Sequence, residues 1–230
     1  MNFKKAMTFG MTGFIFLFGF SQVNAAAEVK EFDSNATVEF EVGTGIPGVV
    51  DPIDPSKPLD PIEPGNPPTD DNGPLTLDYV SFVDFGEHEI EGQTAVYEST
   101  NLKPFIQVTD RRGTGAGWNV TATVTEFSNG EKATLPGSKL AFSNGEAAST
   151  SVLTKPIPNT NVELVAGGDA VNVVTAEEGV GLGTWVNRWL PSESDAVLNN
   201  NVTLEVPTGA ATLGKHTATI TWSLADAPGQ

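Results

Sequence analysis

The stretch His216-Thr217-Ala218-Thr219-Ile220-Thr221-Trp222-Ser223-Leu224 sets His216, Ala218, Ile220, Trp222 and Leu224 against Thr217, Thr219, Thr221 and Ser223. Successive side chains of a strand point to opposite faces, so this period of two, built from β-branched and aromatic residues, predicts a half-buried strand. The same pattern recurs upstream, where Trp118, Val120, Ala122 and Val124 alternate with Asn119, Thr121, Thr123 and Thr125. Shorter candidates are Leu77 to Phe85, Pro104 to Thr109, Leu140 to Phe142, Ser149 to Leu153, Val162 to Val165, Val171 to Thr175, Gly183 to Leu190 and Val202 to Val206. Ser128-Asn129-Gly130 and Ser143-Asn144-Gly145 punctuate them as turns. With no amphipathic helical repeat and no βαβ alternation, residues 75–230 are expected to form an all-β domain. Its expected form is an antiparallel β-sandwich or barrel-like fold of about ten short strands. Pro191 to Ala196 reads as one helical turn.

Upstream of this domain the composition changes. Residues 45–74 carry Asp51-Pro52-Ile53-Asp54-Pro55, Lys57-Pro58, Asp60-Pro61-Ile62-Glu63-Pro64 and Pro67-Pro68. Proline fixes φ, removes a donor and drives the preceding residue into extended geometry, so a semi-rigid linker outside the core is expected. The closely spaced carboxylates of this stretch read as solvated charges rather than as a calcium loop, which needs a turn with alternating ligands. In residues 26–44, Val38, Phe40 and Val42 alternate with Glu39, Glu41 and Gly43, and one strand is expected there. Residues 1–25 begin with Lys4 and Lys5, run through an uncharged apolar stretch from Met7 to Phe20 and reach Ala25, Ala26 and Ala27. That is the form of a secretory signal peptide with cleavage near 25–27, and it is shorter than the roughly 20 apolar residues that span a bilayer. No later stretch reads as a transmembrane segment, so the mature chain is expected to be soluble and extracellular.

Cysteine is absent, so an exported chain of this kind rests on its packed core rather than on disulfides. The formal net charge is −17, and it becomes −19 when Lys4 and Lys5 leave with the signal. Such a field repels nucleic acid, anionic lipid and teichoic-acid phosphates at long range, and no nucleic-acid partner is expected. Any partner must then be held by shape and hydrogen bonds.

Catalysis finds little footing. The two histidines, His88 and His216, have no metal-ligand spacing between them, and His88 between Glu87 and Glu89 reads as a polar edge or loop. Glu177-Glu178 reads as a solvated loop pair, although two distant carboxylates could still approach in space. Gly179-Val180-Gly181-Leu182-Gly183 reads as tight turning rather than as a phosphate cradle, because no helix follows it. Asp110-Arg111-Arg112 could attract an anion or form a local salt link, and the salt link is the simpler reading. No enzyme activity, no cofactor and no metal are expected.

Three segments resemble the WxL family of Gram-positive cell-surface proteins. Gly117-Trp118-Asn119-Val120 is similar to that family's upstream Trp-x-Leu element, with Val120 in place of Leu. Gly183-Thr184-Trp185-Val186-Asn187-Arg188-Trp189-Leu190 is similar to its Gly-Thr-Trp segment. His216 through Leu224, followed by Ala225-Asp226-Ala227-Pro228, is similar to its terminal Tyr-x-x-x-Leu-Thr-Trp-x-Leu, with His216 for Tyr and Ile220 for Leu. The order of signal, spacer and terminal motif is also the family's. The resemblance implies non-covalent attachment to peptidoglycan and display on the cell surface. It further implies work beside membrane-anchored WxL-interacting proteins and sortase-anchored surface proteins. Leu135-Pro136-Gly137-Ser138 lacks the Thr-Gly of a sortase signal, so covalent anchoring is not expected. A carbohydrate-binding or host-adhesion module that recognises an external glycan or protein is the alternative.

The residues on which binding is expected to depend are Trp118, Val120, Trp185, Trp189, His216, Trp222 and Leu224. For Trp118 and Trp222 the period of two favours core packing over an aromatic surface. Trp185 and Trp189, in a glycine-rich approach, fit either an exposed platform or the core.

Overall fold

The computed structural model describes residues 29–62 and 65–228. The expected signal peptide and its cleavage site lie outside them. Compactness divides the chain into two units, residues 1–39 and 40–230. Within the first, the described residues 29–39 are exposed and form no regular element. The second holds all the strands.

Those strands are β1 (Leu75–Val80), β2 (Ala95–Ser99), β3 (Phe105–Asp110), β4 (Trp118–Val124), β5 (Phe127–Ser128), β6 (Ala133–Thr134) and β7 (Lys139–Ser143). They continue with β8 (Glu146–Ala148), β9 (Ile157–Pro158), β10 (Asn161–Val165), β11 (Val171–Ala176), β12 (Gly183–Arg188), β13 (Asn199–Val206) and β14 (Ile220–Ala225). The described residues contain no helix. Three four-stranded antiparallel sheets form, in the orders β1-β3-β12-β8, β10-β7-β13-β2 and β14-β4-β11-β9, and β5 pairs with β6. The sheets do not close into a barrel, which leaves the sandwich as the architecture.

The two strands read most clearly from the sequence are neighbours. In β14, Ile220, Trp222 and Leu224 stand opposite Val124, Ala122 and Val120 of β4. On its other side β4 sets Ala122, Val120 and Trp118 against Val171, Val174 and Ala176 of β11. Trp118, Val120, Ala122 and Val124 are all buried, while Thr121 and Thr123 on the other face are half-exposed, as the alternation requires. The main core gathers these with Phe142, Val162, Leu164, Trp189 and Val202 from the other sheets.

β3 breaks the alternating rule, since all six of its residues are buried. Ile106 and Val108 face the main core, whereas Phe105 on the other face joins Val49, Tyr79 and Val186 in a second, smaller cluster. That cluster exists because the proline-rich segment covers the sheet. Val49 is buried, Val50 bridges to Pro58, Leu59 N donates to Val49 O at 2.9 Å and Asp51 N to Lys57 O at 2.9 Å. The expected free spacer is therefore corrected over this stretch. Proline removes donors only where it stands, and Val49, Val50 and Leu59 between the prolines still supply apolar contacts and ladder bonds.

Other expectations also shift. The strand foreseen around Val38, Phe40 and Val42 does not form, and these residues carry no regular element. Ser149 to Leu153 is loop, with the strand placed just upstream at β8, and residues 81–90 are irregular. Pro191 to Ala196 makes a turn closed by Ala196 N donating to Glu193 O at 3.3 Å, not a helix. The terminal strand begins at Ile220 rather than His216, and Thr217 upstream makes only an isolated bridge to Ser128.

Candidate functional site

The motif tryptophans converge inside the sandwich. Trp118, Trp185 and Trp189 are buried, each at 4 % exposure or less, and Trp222 is half-buried. The exposed platform open to Trp185 and Trp189 in the sequence does not form. The Trp189 ring lies 5.0 Å from Phe142 and 6.0 Å from Trp222, and Phe142 meets Trp222 edge-on at 5.8 Å. These tilted and edge-on arrangements suit the ring quadrupoles. One aromatic knot thus ties β7, β14 and the exit of β12, elements of all three large sheets.

Two tryptophans also anchor loops. Trp118 Nε1 donates to Gly181 O at 3.0 Å and Trp185 Nε1 to Leu182 O at 2.9 Å, so the glycine run is a turn held down by indoles. Gly117 has φ 76°, and a Cβ there would run into the carbonyl of Ala176. That is why glycine precedes the tryptophan. Trp189 Nε1 and both polar atoms of the Asn187 side chain, by contrast, are buried without a hydrogen-bond partner among the described residues.

His216 and the arginines are structural ties. His216 Nε2 lies 2.8 Å from Thr212 O and Nδ1 2.9 Å from Thr134 Oγ1. A carbonyl only accepts, so in the neutral ring Nε2 carries the proton and Nδ1 accepts from the threonine. Val120 and Leu224 face each other across the β4–β14 ladder, Val120 fully buried and Leu224 half-buried. Arg112 takes the local salt link: its guanidinium grips Asp110 at 2.8 Å and donates to Gly117 O at 2.6 Å and Asp226 O at 3.1 Å. The first and last motifs are thereby stitched together. Arg111 donates to Gly45 O at 2.6 Å, Gly73 O at 2.7 Å and Thr44 O at 3.4 Å. His88 stacks on Tyr97 at 4.1 Å and bonds to the Phe85 carbonyl.

Two features carry no motif. One is a buried polar network on β1 and β3. Asp78 accepts from Thr76 Oγ1 at 2.6 Å, Gln107 Nε2 at 2.8 Å and Thr109 Oγ1. Gln107 also accepts from Val50 N at 2.8 Å and donates to Gly48 O at 2.9 Å, which docks the proline-rich segment. Burial raises the Asp78 carboxyl above its ordinary value, against the pull of the three donors. In the sequence Asp78 stands between Leu77 and Tyr79, and nothing there announces that another segment covers it.

The second is a cleft of about 410 Å³ where the proline-rich segment meets the β domain, lined by Asp51, Leu59, Asp60, Asn101, Lys103 and Phe105 among others. Tyr79 and Phe105 stack beside each other there, with centroids 4.6 Å apart. Both charge signs over an aromatic floor suit a neutral or zwitterionic polar ligand better than a polyanion.

No curated protein and no solved structure matches the chain. The family model of the WxL domain, described as surface cell wall-binding, matches residues 27–228. That match takes in the proline-rich segment as well as the three motif regions, in agreement with the way Gln107 and Arg111 bind the segment to the sheet. The chain belongs to the WxL family of surface cell wall-binding domains.

Proposed function

We propose that this protein is exported, holds non-covalently to the peptidoglycan of a Gram-positive wall and is displayed there within an envelope complex. Membrane-anchored WxL-interacting proteins and sortase-anchored surface proteins are its expected neighbours in that complex. It acts by binding rather than by catalysis. The observation that carries the reading is the family match over residues 27–228, which describes a cell wall-binding domain.

The motif residues Trp118, Val120, Trp185, Trp189 and His216 serve that binding as scaffold, since they are directed into the sandwich or into loop ties rather than to solvent. Contact with the wall then belongs to surfaces they hold in shape, among them the cleft beside Lys103. Its mixed charges match the amino and carboxylate groups of wall peptides better than the phosphates of teichoic acids.

The test is co-sedimentation of the purified protein with peptidoglycan sacculi, before and after teichoic acids are stripped, with a heat-unfolded sample as control. Retention of the folded protein on stripped sacculi is the expected result. Equal retention of the unfolded sample, or loss of retention on stripping, overturns direct peptidoglycan binding. Binding to soluble glycans without retention on sacculi would instead favour recognition of an external glycan.

A further inference from the structure

β14 is one of the edge strands of the sandwich, and its inward side chains stay partly exposed. β14 pairs only with β4, and no backbone hydrogen bond beyond that ladder reaches Ile220–Ala225 among the described residues. Its neighbour β1 differs: Thr69 N donates to Asp78 O at 3.0 Å, Thr69 Oγ1 to Leu77 O at 2.6 Å, and Leu77 N donates to Asp71 Oδ2 at 3.0 Å, so that edge is plugged. Side-chain burial draws the same distinction. On the edge strand β10 the inward Val162 and Leu164 are fully covered, whereas on β14 the inward Ile220, Trp222 and Leu224 are each half-exposed. The row of apolar side chains on β14 packs against the core but stays partly exposed.

The chain also carries an alternating segment that forms no ladder among the described residues. Val38, Phe40 and Val42 are 76 %, 86 % and 59 % exposed, while Glu39 and Glu41 alternate with them. The downstream root of this segment is clamped. Gly43 N donates to Arg111 O at 3.2 Å, and the Arg111 guanidinium holds the carbonyls of Thr44 and Gly45. A Cβ on Gly43 would press into the Arg111 side chain, so the close approach depends on glycine. An alternating apolar segment with a fixed root and no ladder partner is what strand addition to an open edge requires.

We propose that residues 38–42 of one copy of this chain add as an extra strand along β14 of a second copy. Val38, Phe40 and Val42 then cover the half-exposed Ile220, Trp222 and Leu224. Glu39 and Glu41 fall on the opposite face, beside the polar Thr221 and Ser223. Donor and acceptor are different surfaces of the same chain, so the contact is heterologous and propagates head to tail. The inference concerns contacts between copies and stands or falls independently of which wall polymer the domain holds.

The absence of native cysteine permits a direct test on the chain from residue 28. Glu41→Cys in one preparation and Ser223→Cys in another are mixed under mild oxidation, with Glu39→Cys and Thr221→Cys as the second pair of positions. Val152→Cys, on a fully exposed loop, replaces the donor position as a collision control. The expected result is a mixed disulfide well above the Val152→Cys background, which falls about tenfold or more when Phe40→Lys removes the aromatic anchor. Phe40 is 86 % exposed, so an unchanged melting temperature is expected of a Phe40→Lys variant that is still folded. Cross-linking at the control level, cross-linking undiminished by Phe40→Lys, or a disulfide that forms only within a single chain carrying both cysteines overturns the proposal. A peptide of residues 34–44 that captures a different envelope protein but not this chain also overturns it.

Discussion

Trp189 belongs to the aromatic knot, tilted against both Phe142 and Trp222 and closed from solvent. Removing it opens a cavity where three sheets meet, so Trp189→Ala is expected to cost about 3–5 kcal/mol in chemical denaturation. Wall retention should fall in step with the folded fraction; a variant that stays folded and loses retention would instead make the indole a contact residue. The sequence pattern announced that Trp118 and Trp222 face inward, because each stands in an alternating run. It was silent on Trp189, which follows β12 in a stretch without alternation. Asp78 makes a second prediction at this scale. Its folded carboxyl is raised above the ordinary value near 3.8, so between the two values the folded chain holds a proton that the unfolded chain has released. Stability from this group is therefore fully present below the ordinary value and is lost as pH rises through the folded one. Denaturation midpoints of the wild type should fall relative to Asp78→Asn as pH rises across that window. A constant difference between the two proteins would refute the assignment.

Among the elements, the proline-rich segment departs furthest from its sequence reading. Its prolines announce an extended chain correctly, but composition alone does not tell whether extended chain is solvated or laid on a sheet. The information lies in β3, whose Gln107 points away from the core and accepts from Val50 N. Removing that side chain should release the segment, and it also takes one donor from the buried Asp78 carboxylate. Gln107→Ala is expected to speed amide exchange at Val50 and Leu59 while leaving β4 and β11 protected, with a stability loss of about 1–3 kcal/mol. Unchanged exchange at Val50 would show that the apolar contacts of Val49 suffice. The short strands β5, β6, β8 and β9 were equally hard to read, since two or three residues cannot display a period. β2 was missed for a different reason: it has an exposed Val96 among mixed neighbours, and its place is set by pairing with β13.

For the whole molecule, the all-β class was legible because a period of two survives in β4, β7, β10, β13 and β14 whatever their order. The order itself was not legible, because alternation states which face is buried and not which strand lies alongside. That order is mostly non-local. β4 waits for β14, β2 for β13 and β3 for β12. Such topologies close long loops before contacts reward them and fold on about the millisecond-to-second scale. Stopped-flow refolding followed by tryptophan fluorescence should show a main phase in that range; a microsecond phase carrying the full amplitude would contradict it. A chain stopped before Ile220 should refold to no native-like fluorescence. The edge of β4 that carries the first tryptophan motif thus stays open while the whole stretch up to β14 is synthesised. A nascent chain built in this way emerges from the ribosome unfinished, and a polypeptide that cannot fold early is one that a narrow membrane channel can still thread.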